Sequence, residues 1–179
     1  MRITIPSELF APAETRHYEG TLEMPVLKAG PDLYSFAEPL AWSADITNTG
    51  DAFLVTGMVE GDAVTSCARC LEDVAVRCMG EIEGYYLISG EVETAEDLEG
   101  DEFEVLPDDH TIDLVPLIEA ALRVEVPLVP LCREDCKGLC PQCGANLNDG
   151  PCGCALAEEG QSAPGNPFAV LKDLNLEGE

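Results

Sequence analysis

From Leu40 to Ile88 apolar and polar side chains alternate. Leu40, Trp42, Ala44 and Ile46 interleave with Ala41, Ser43 and Asp45, and Asn48-Thr49-Gly50-Asp51 reads as a turn. Phe53, Val55 and Val59 carry the alternation on, with Gly57 as a bulge or close-approach point, and Glu60-Gly61-Asp62 reads as the next turn. Past Cys67-Ala68-Arg69-Cys70, one face takes Val74, Val76, Cys78 and Ile82, and the other takes Arg77, Met79, Glu81 and Glu83. Short strands with no helix-length pattern between them predict antiparallel sheet. Arg2–Ile5 and His17–Leu27 could each add an edge strand. The expectation is a twisted antiparallel sheet, possible in a barrel-like curl.

The period changes at Asp113, which is placed to cap a helix over 113–125 with Pro116 in its first turn. Leu114, Leu117, Ile118 and Ala121 are spaced i, i+3, i+4, i+7, one apolar stripe to pack on the sheet. Pro127 and Pro130 then keep Val126–Leu131 extended. Residues 155–165 read as a linker. Asn166–Leu174 reads as a short amphipathic helix, with Pro167 in its first turn and Phe168, Leu171 and Leu174 free to dock. The fold class is therefore α+β and β-rich, with one packed helix, a Cys-rich knuckle and a short terminal helix. The domains expected are a β domain over 1–131, the knuckle over 132–154, and a linker with its helix over 155–179.

Charge narrows the function. The 179 residues hold 9 Lys+Arg against 35 Asp+Glu, a net charge of −26. Fourteen acidic residues and no Lys or Arg fall between Cys78 and Leu122. Within that stretch 89–109 reads as an acidic loop with one short strand at Phe103–Leu106. It is either a solvated surface or one that attracts a basic partner. Neutralising nucleic-acid phosphates takes Lys and Arg that this chain lacks. No apolar run approaches the ~18 residues that span a bilayer. The opening Met1–Glu8 lacks the apolar core of a signal peptide, so a cytoplasmic protein is expected.

Nine cysteines cannot all pair, and in a reducing compartment metal ligation outranks disulfides. Six crowd together as Cys132-x3-Cys136-x3-Cys140-Pro141-Gln142-Cys143-Gly144 and Cys152-Gly153-Cys154. Four thiolates suit tetrahedral zinc, and Cys-x2-Cys before a glycine is a turn that aims two sulfurs at one point. Four of the six are expected to bind it. Cys140, Cys143, Cys152 and Cys154 are the preferred set; Cys132, Cys136, Cys140 and Cys143 are the main competitor. An all-sulfur site is structural rather than catalytic. Cys67 and Cys70 admit three readings: a tight turn with two packed thiols, half of a zinc site completed by tail cysteines, or a redox pair. The redox reading lacks the strand and helix of a thioredoxin-like motif. Cys78 alternates with Val76 and Ile82 and reads as core.

Catalysis finds little support. His17 lies in a polar stretch, and His110 beside Asp108 and Asp109 reads as a helix-entry cap rather than a general base. No phosphate-cradling glycine loop, nucleophile elbow or metal-hydrolase helix is present. The expectation is a protein that is not an enzyme.

Taken in order, the central Cys67-x2-Cys70-Leu71, the acidic loop, Ile112-Asp113-Leu114, Val126-Pro127-Leu128, Leu131-Cys132, Cys136-Lys137-Gly138-Leu139-Cys140-Pro141-Gln142-Cys143-Gly144, Asn146-Leu147-Asn148, Cys152-Gly153-Cys154 and Asn166–Leu171 resemble the bacterial YceD family. That family is also called the large ribosomal RNA subunit accumulation protein. The resemblance implies a cytoplasmic, non-enzymatic factor needed for normal accumulation of large-subunit ribosomal RNA. Some members of the family keep the central cysteine pair without the tail cysteines, which implies that a tail metal is not essential to the shared role.

Acidity then favours a basic partner, either a ribosomal protein or an assembly factor of the large subunit, over a direct grip on RNA. Arg133, Lys137 and Lys172 could still give the tail a local RNA contact. Two rivals come from other classes. One is a zinc-ribbon nucleic-acid module acting through the tail; the other is a thiol redox or zinc sensor.

Overall fold

The structure, a computed structural model, describes residues 1–88 and 104–154. The linker and terminal helix expected after residue 154, and most of the acidic loop, lie outside the described residues. The chain divides into two compact units, one spanning Met1–Gly138 and the other beginning at Leu139.

The first unit is built on strands β1 (Arg2–Thr4), β2 (Thr15–Leu22), β3 (Val26–Ala29), β4 (Asp32–Phe36), β5 (Leu40–Asn48), β6 (Ala52–Ser66), β7 (Asp73–Leu87), β8 (Glu104–Val105) and β9 (Thr111–Asp113), with one helix, α1 (Leu114–Glu125). A 3-10 turn at Ser7–Phe10 joins β1 to β2. The main sheet runs β2-β5-β6-β4-β3. β7 pairs along all of β6, from Ala52↔Leu87 to Ser66↔Asp73, and β8 adds a short parallel pair to β7. β1 pairs only β9, so the predicted first strand makes a separate ladder instead of an edge of the main sheet. The stretch before Leu40, read as two possible edge strands, holds four.

Two expectations are corrected. The sheet does not close into a barrel: its path ends at β2, which pairs with β5 and nothing else in the sheet. Nor is Glu60-Gly61-Asp62 a turn. It lies inside β6, where Glu60 opposes Met79 and Asp62 opposes Arg77. Arg77 donates to Glu60 (2.7 Å) and Asp62 (3.4 Å), so the pairing that local composition argued against is supplied by the neighbouring strand.

Alternation sets what faces inward. Leu40, Ala44, Ile46, Phe53, Val55, Val59, Cys78 and Ile82 are buried in one apolar core. Leu114, Ile118, Ala121 and Leu122 of α1 cover it. Asp113 caps the helix by accepting the Val115 N–H (3.1 Å), and its carboxylate also takes the Met1 amino group (2.9 Å). The helix lies close against β7, where a Cβ on Gly80 would sit 2.8 Å from the Ala121 backbone. Gly57 is the expected close approach: a Cβ there would come within 2.2 Å of the Ser43 carbonyl oxygen on β5.

The opposite face of β5, β6 and β7 presents Asp45, Thr56, Met58, Glu60, Asp62, Met79, Glu81 and Glu83 to solvent. No helix among the described residues is long and apolar enough to cross a membrane.

Candidate metal centres

Two Cys-x2-Cys turns in this chain have the same construction. Cys67 follows the last residue of β6, and Cys70 lies in the connection to β7. The Cys67 N–H donates to the Glu72 carbonyl (2.8 Å), and the Leu71 N–H donates to the Cys67 carbonyl (2.9 Å). In the second unit the Cys140 N–H donates to the Ala145 carbonyl (2.8 Å), and the Gly144 N–H donates to the Cys140 carbonyl (2.8 Å). Offset for offset these are the same bonds. The residue after the second cysteine is left-handed in both, Leu71 at φ 63° and Gly144 at φ 72°. Glycine adopts that conformation without strain; leucine does not.

The turn also aims backbone N–H groups at its first sulfur. Burial pushes the Cys67 thiol up, but the N–H groups of Cys132, Cys70 and Arg69 outweigh it, and the group is lowered to about 6. The Cys140 thiol is likewise lowered to about 6, by the N–H of Cys143 and then that of Gln142.

The other sulfurs respond to these first thiolates. At Cys70 the Glu72 N–H favours ionisation, but burial and the neighbouring sulfurs of Cys67, Cys132 and Cys136 push the thiol up to about 12. Burial raises Cys132. The Cys143 sulfur, with burial, pushes Cys154 up to about 12. Several thiols crowded together cannot all ionise unless a cation joins them, and a divalent metal supplies that charge.

Each turn is completed by a second pair. In the first unit the Pro130 carbonyl accepts the Ala68 N–H (2.8 Å), which brings the chain leaving α1 beside the β6–β7 connection. The Cys136 N–H donates to the Arg133 carbonyl (3.1 Å) and tightens that segment. Arg69 straps it down, donating to the carbonyls of Cys136 (2.9 Å) and Glu134 (3.2 Å). The sulfurs of Cys67 and Cys136 lie 3.8 Å apart, and those of Cys70 and Cys132 lie 3.6 Å apart. All four fall within 4.8 Å of one another. In the second unit Asn146 accepts the Asn148 N–H through its side chain (3.0 Å), turning the chain back toward Cys152 and Cys154. Their sulfurs and those of Cys140 and Cys143 again lie within 4.8 Å of one another. Both sets could hold a metal ion.

The two sets differ from the competing sequence assignment in one respect. Cys132 and Cys136 stand with Cys67 and Cys70, not with Cys140 and Cys143. Spacing could not reveal this, because Cys70 and Cys132 are 62 positions apart and meet only through the fold. Cys78 is in the core. Arg133 is paired with Asp135 (3.5 Å), and Lys137 is exposed. Lys172 lies outside the described residues. His17 bonds Asp45 across the strands (2.8 Å). His110 sits in a left-handed turn (φ 52°) whose carbonyl accepts the Ile5 N–H; Asp113, not His110, caps the helix.

Residues 55–175 match the family described as Large ribosomal RNA subunit accumulation protein YceD, a match over about two thirds of the chain that includes both sets of sulfurs. The chain belongs to the YceD family. An uncharacterised protein of Mycobacterium tuberculosis (strain H37Rv) is 39% identical over 106 residues, covering 59% of this chain and 50% of that protein. An uncharacterised protein of Mycobacterium leprae is 34% identical over 112 residues, covering 61% and 49%. A chloroplastic protein of Arabidopsis thaliana named as a YCED homolog in large ribosomal RNA subunit accumulation is 34% identical over 59 residues, covering 33% of this chain and 18% of that one. The chain spans about half the length of the mycobacterial relatives it matches. No solved structure matches it.

Proposed function

We propose that this chain is a non-enzymatic factor in biogenesis of the large ribosomal subunit, supporting accumulation of its ribosomal RNA. Membership of the YceD family carries the reading. Its partner is a basic ribosomal protein or assembly factor, rather than RNA itself. Two observations support that choice. The net charge of −26 repels a polyphosphate backbone and attracts a basic chain. The uncovered sheet face offers Asp45, Glu60, Asp62, Glu81 and Glu83 around the exposed side chains of Met58 and Met79, so a partner can be met by charge and by adaptable apolar contact together. An RNA contact through Arg133 and Lys137 is the weaker reading, because two cations, one of them with Asp135 3.5 Å away, stand in a chain of net charge −26. The tail set, Cys140, Cys143, Cys152 and Cys154, holds a structural zinc ion that gives a segment with little apolar content a fixed shape.

Deleting the gene in its own organism tests the process. Large-subunit ribosomal RNA should fall relative to small-subunit RNA; an unchanged ratio overturns the reading. Crosslinking followed by purification tests the partner. A basic large-subunit protein should be recovered from samples crosslinked at low salt and lost from samples crosslinked at high salt. Recovery of RNA without any basic protein points to the rival.

A further inference from the structure

We propose that Cys67, Cys70, Cys132 and Cys136 hold a second zinc ion, which fastens the β6–β7 connection to the chain leaving α1. Tetrahedral zinc with Zn–S near 2.3 Å sets its sulfurs about 3.8 Å apart. The Cys67–Cys136 and Cys70–Cys132 sulfurs stand at 3.8 and 3.6 Å, and no pair in the group exceeds 4.8 Å. A disulfide would need about 2.05 Å. The sulfurs are thus arranged around a common centre, not in bonded couples. Thiolates select soft cations such as zinc over calcium or magnesium. Binding releases thiol protons to solvent and changes no oxidation state.

Construction around the site supports this. One half is a turn with the same hydrogen bonds as the Cys140–Cys143 turn, built here with leucine where the other has glycine. The other half is held independently of any metal by the Ala68 bond to Pro130 and the Arg69 bonds to Cys136 and Glu134. Cys67, Cys70 and Cys136 are buried, while Cys132 is exposed. Such an ion would join residues 62 to 69 positions apart, enclosing β7 and α1 between its ligands. The Cys140–Cys154 set joins only its own segment.

Cys132 makes the test clean, because burial does not hide it. The full chain, purified without chelator, is treated with iodoacetamide under native conditions, and modification is mapped at each cysteine before and after zinc is stripped. Zinc content is measured on the same samples. The expected result is two zinc ions per chain, with Cys132 unmodified until chelator is added. Equal modification of Cys132 with and without chelator overturns the proposal. So does a content of one zinc per chain that Cys143→Ser abolishes. Cys132→Ser, a change at an exposed position, should lower the content from two to one, and a variant that keeps both overturns it. None of these readouts depends on the ribosomal partner, so that reading can fail without affecting this one.

Discussion

Leu71 is exposed, at 65% of its free surface, and left-handed at φ 63°. An L-residue there costs roughly 1–2 kcal/mol, against about 0.5–1 kcal/mol of extra chain entropy lost by a glycine. Leu71→Gly should therefore raise stability by roughly 0.5–1 kcal/mol. Urea denaturation measures this, and a lower midpoint would contradict it. Asp113 makes a second argument at this scale. The Met1 amino group beside it, helped by the Val115 N–H, holds its carboxyl below the usual range against the opposing effect of burial. A carboxylate lowered in the folded state stabilises above its ordinary pKa, and that contribution is lost as pH falls through the folded value. Asp113→Ala should cost about 1 kcal/mol near neutral pH. The gap from the parent chain should narrow as pH drops below about 4, and thermal melts across pH follow it directly.

Among the elements, β6 organises the molecule, since it carries β7 along one edge and β5, then β4, along the other. Its regular alternation made its face legible from sequence: Phe53, Val55 and Val59 point inward as read. Its length was not legible. Glu60-Gly61-Asp62 has the composition of a turn, and only Arg77 on β7 reveals it as strand. The helix was legible throughout because cap, stripe and terminating prolines agree with one another. The tail sulfurs were legible as a group because they are close in sequence. The partners of Cys67 and Cys70 were not, since three β-strands and a helix intervene. Gly80→Ala tests how tightly α1 is seated. With backbone 2.8 Å from the new methyl, the helix must shift, at a cost of about 1–3 kcal/mol. A variant as stable as the parent would mean that the helix yields freely.

The whole molecule is dominated by like charge. At −26, carboxylates repel one another in the compact state, and salt screens them over about 8–10 Å. The melting temperature should rise between about 10 and 150 mM sodium chloride, the reverse of what a chain held by surface ion pairs would do. With zinc bound as proposed, stripping it should act more strongly. A ligand present at a thousandfold its dissociation constant contributes about 4 kcal/mol, so chelation should lower the midpoint on the order of 10 °C. Cys132→Ser should reproduce most of that drop; Cys143→Ser should leave the first unit's melting nearly unchanged.

The distance along the chain between Cys70 and Cys132 has a consequence during translation. A ribosome adding about 5–20 residues per second needs on the order of 3–12 s to deliver the second pair after the first, and a little longer to reach Cys136. Throughout that interval the nascent polypeptide carries a lone vicinal dithiol with nothing to close it, open to oxidants and to mismatched thiols. The tail pairs follow each other within about a second or two and face almost no such delay. Oxidative stress during synthesis should therefore leave its mark first on Cys67 and Cys70, in newly made chains rather than in mature ones.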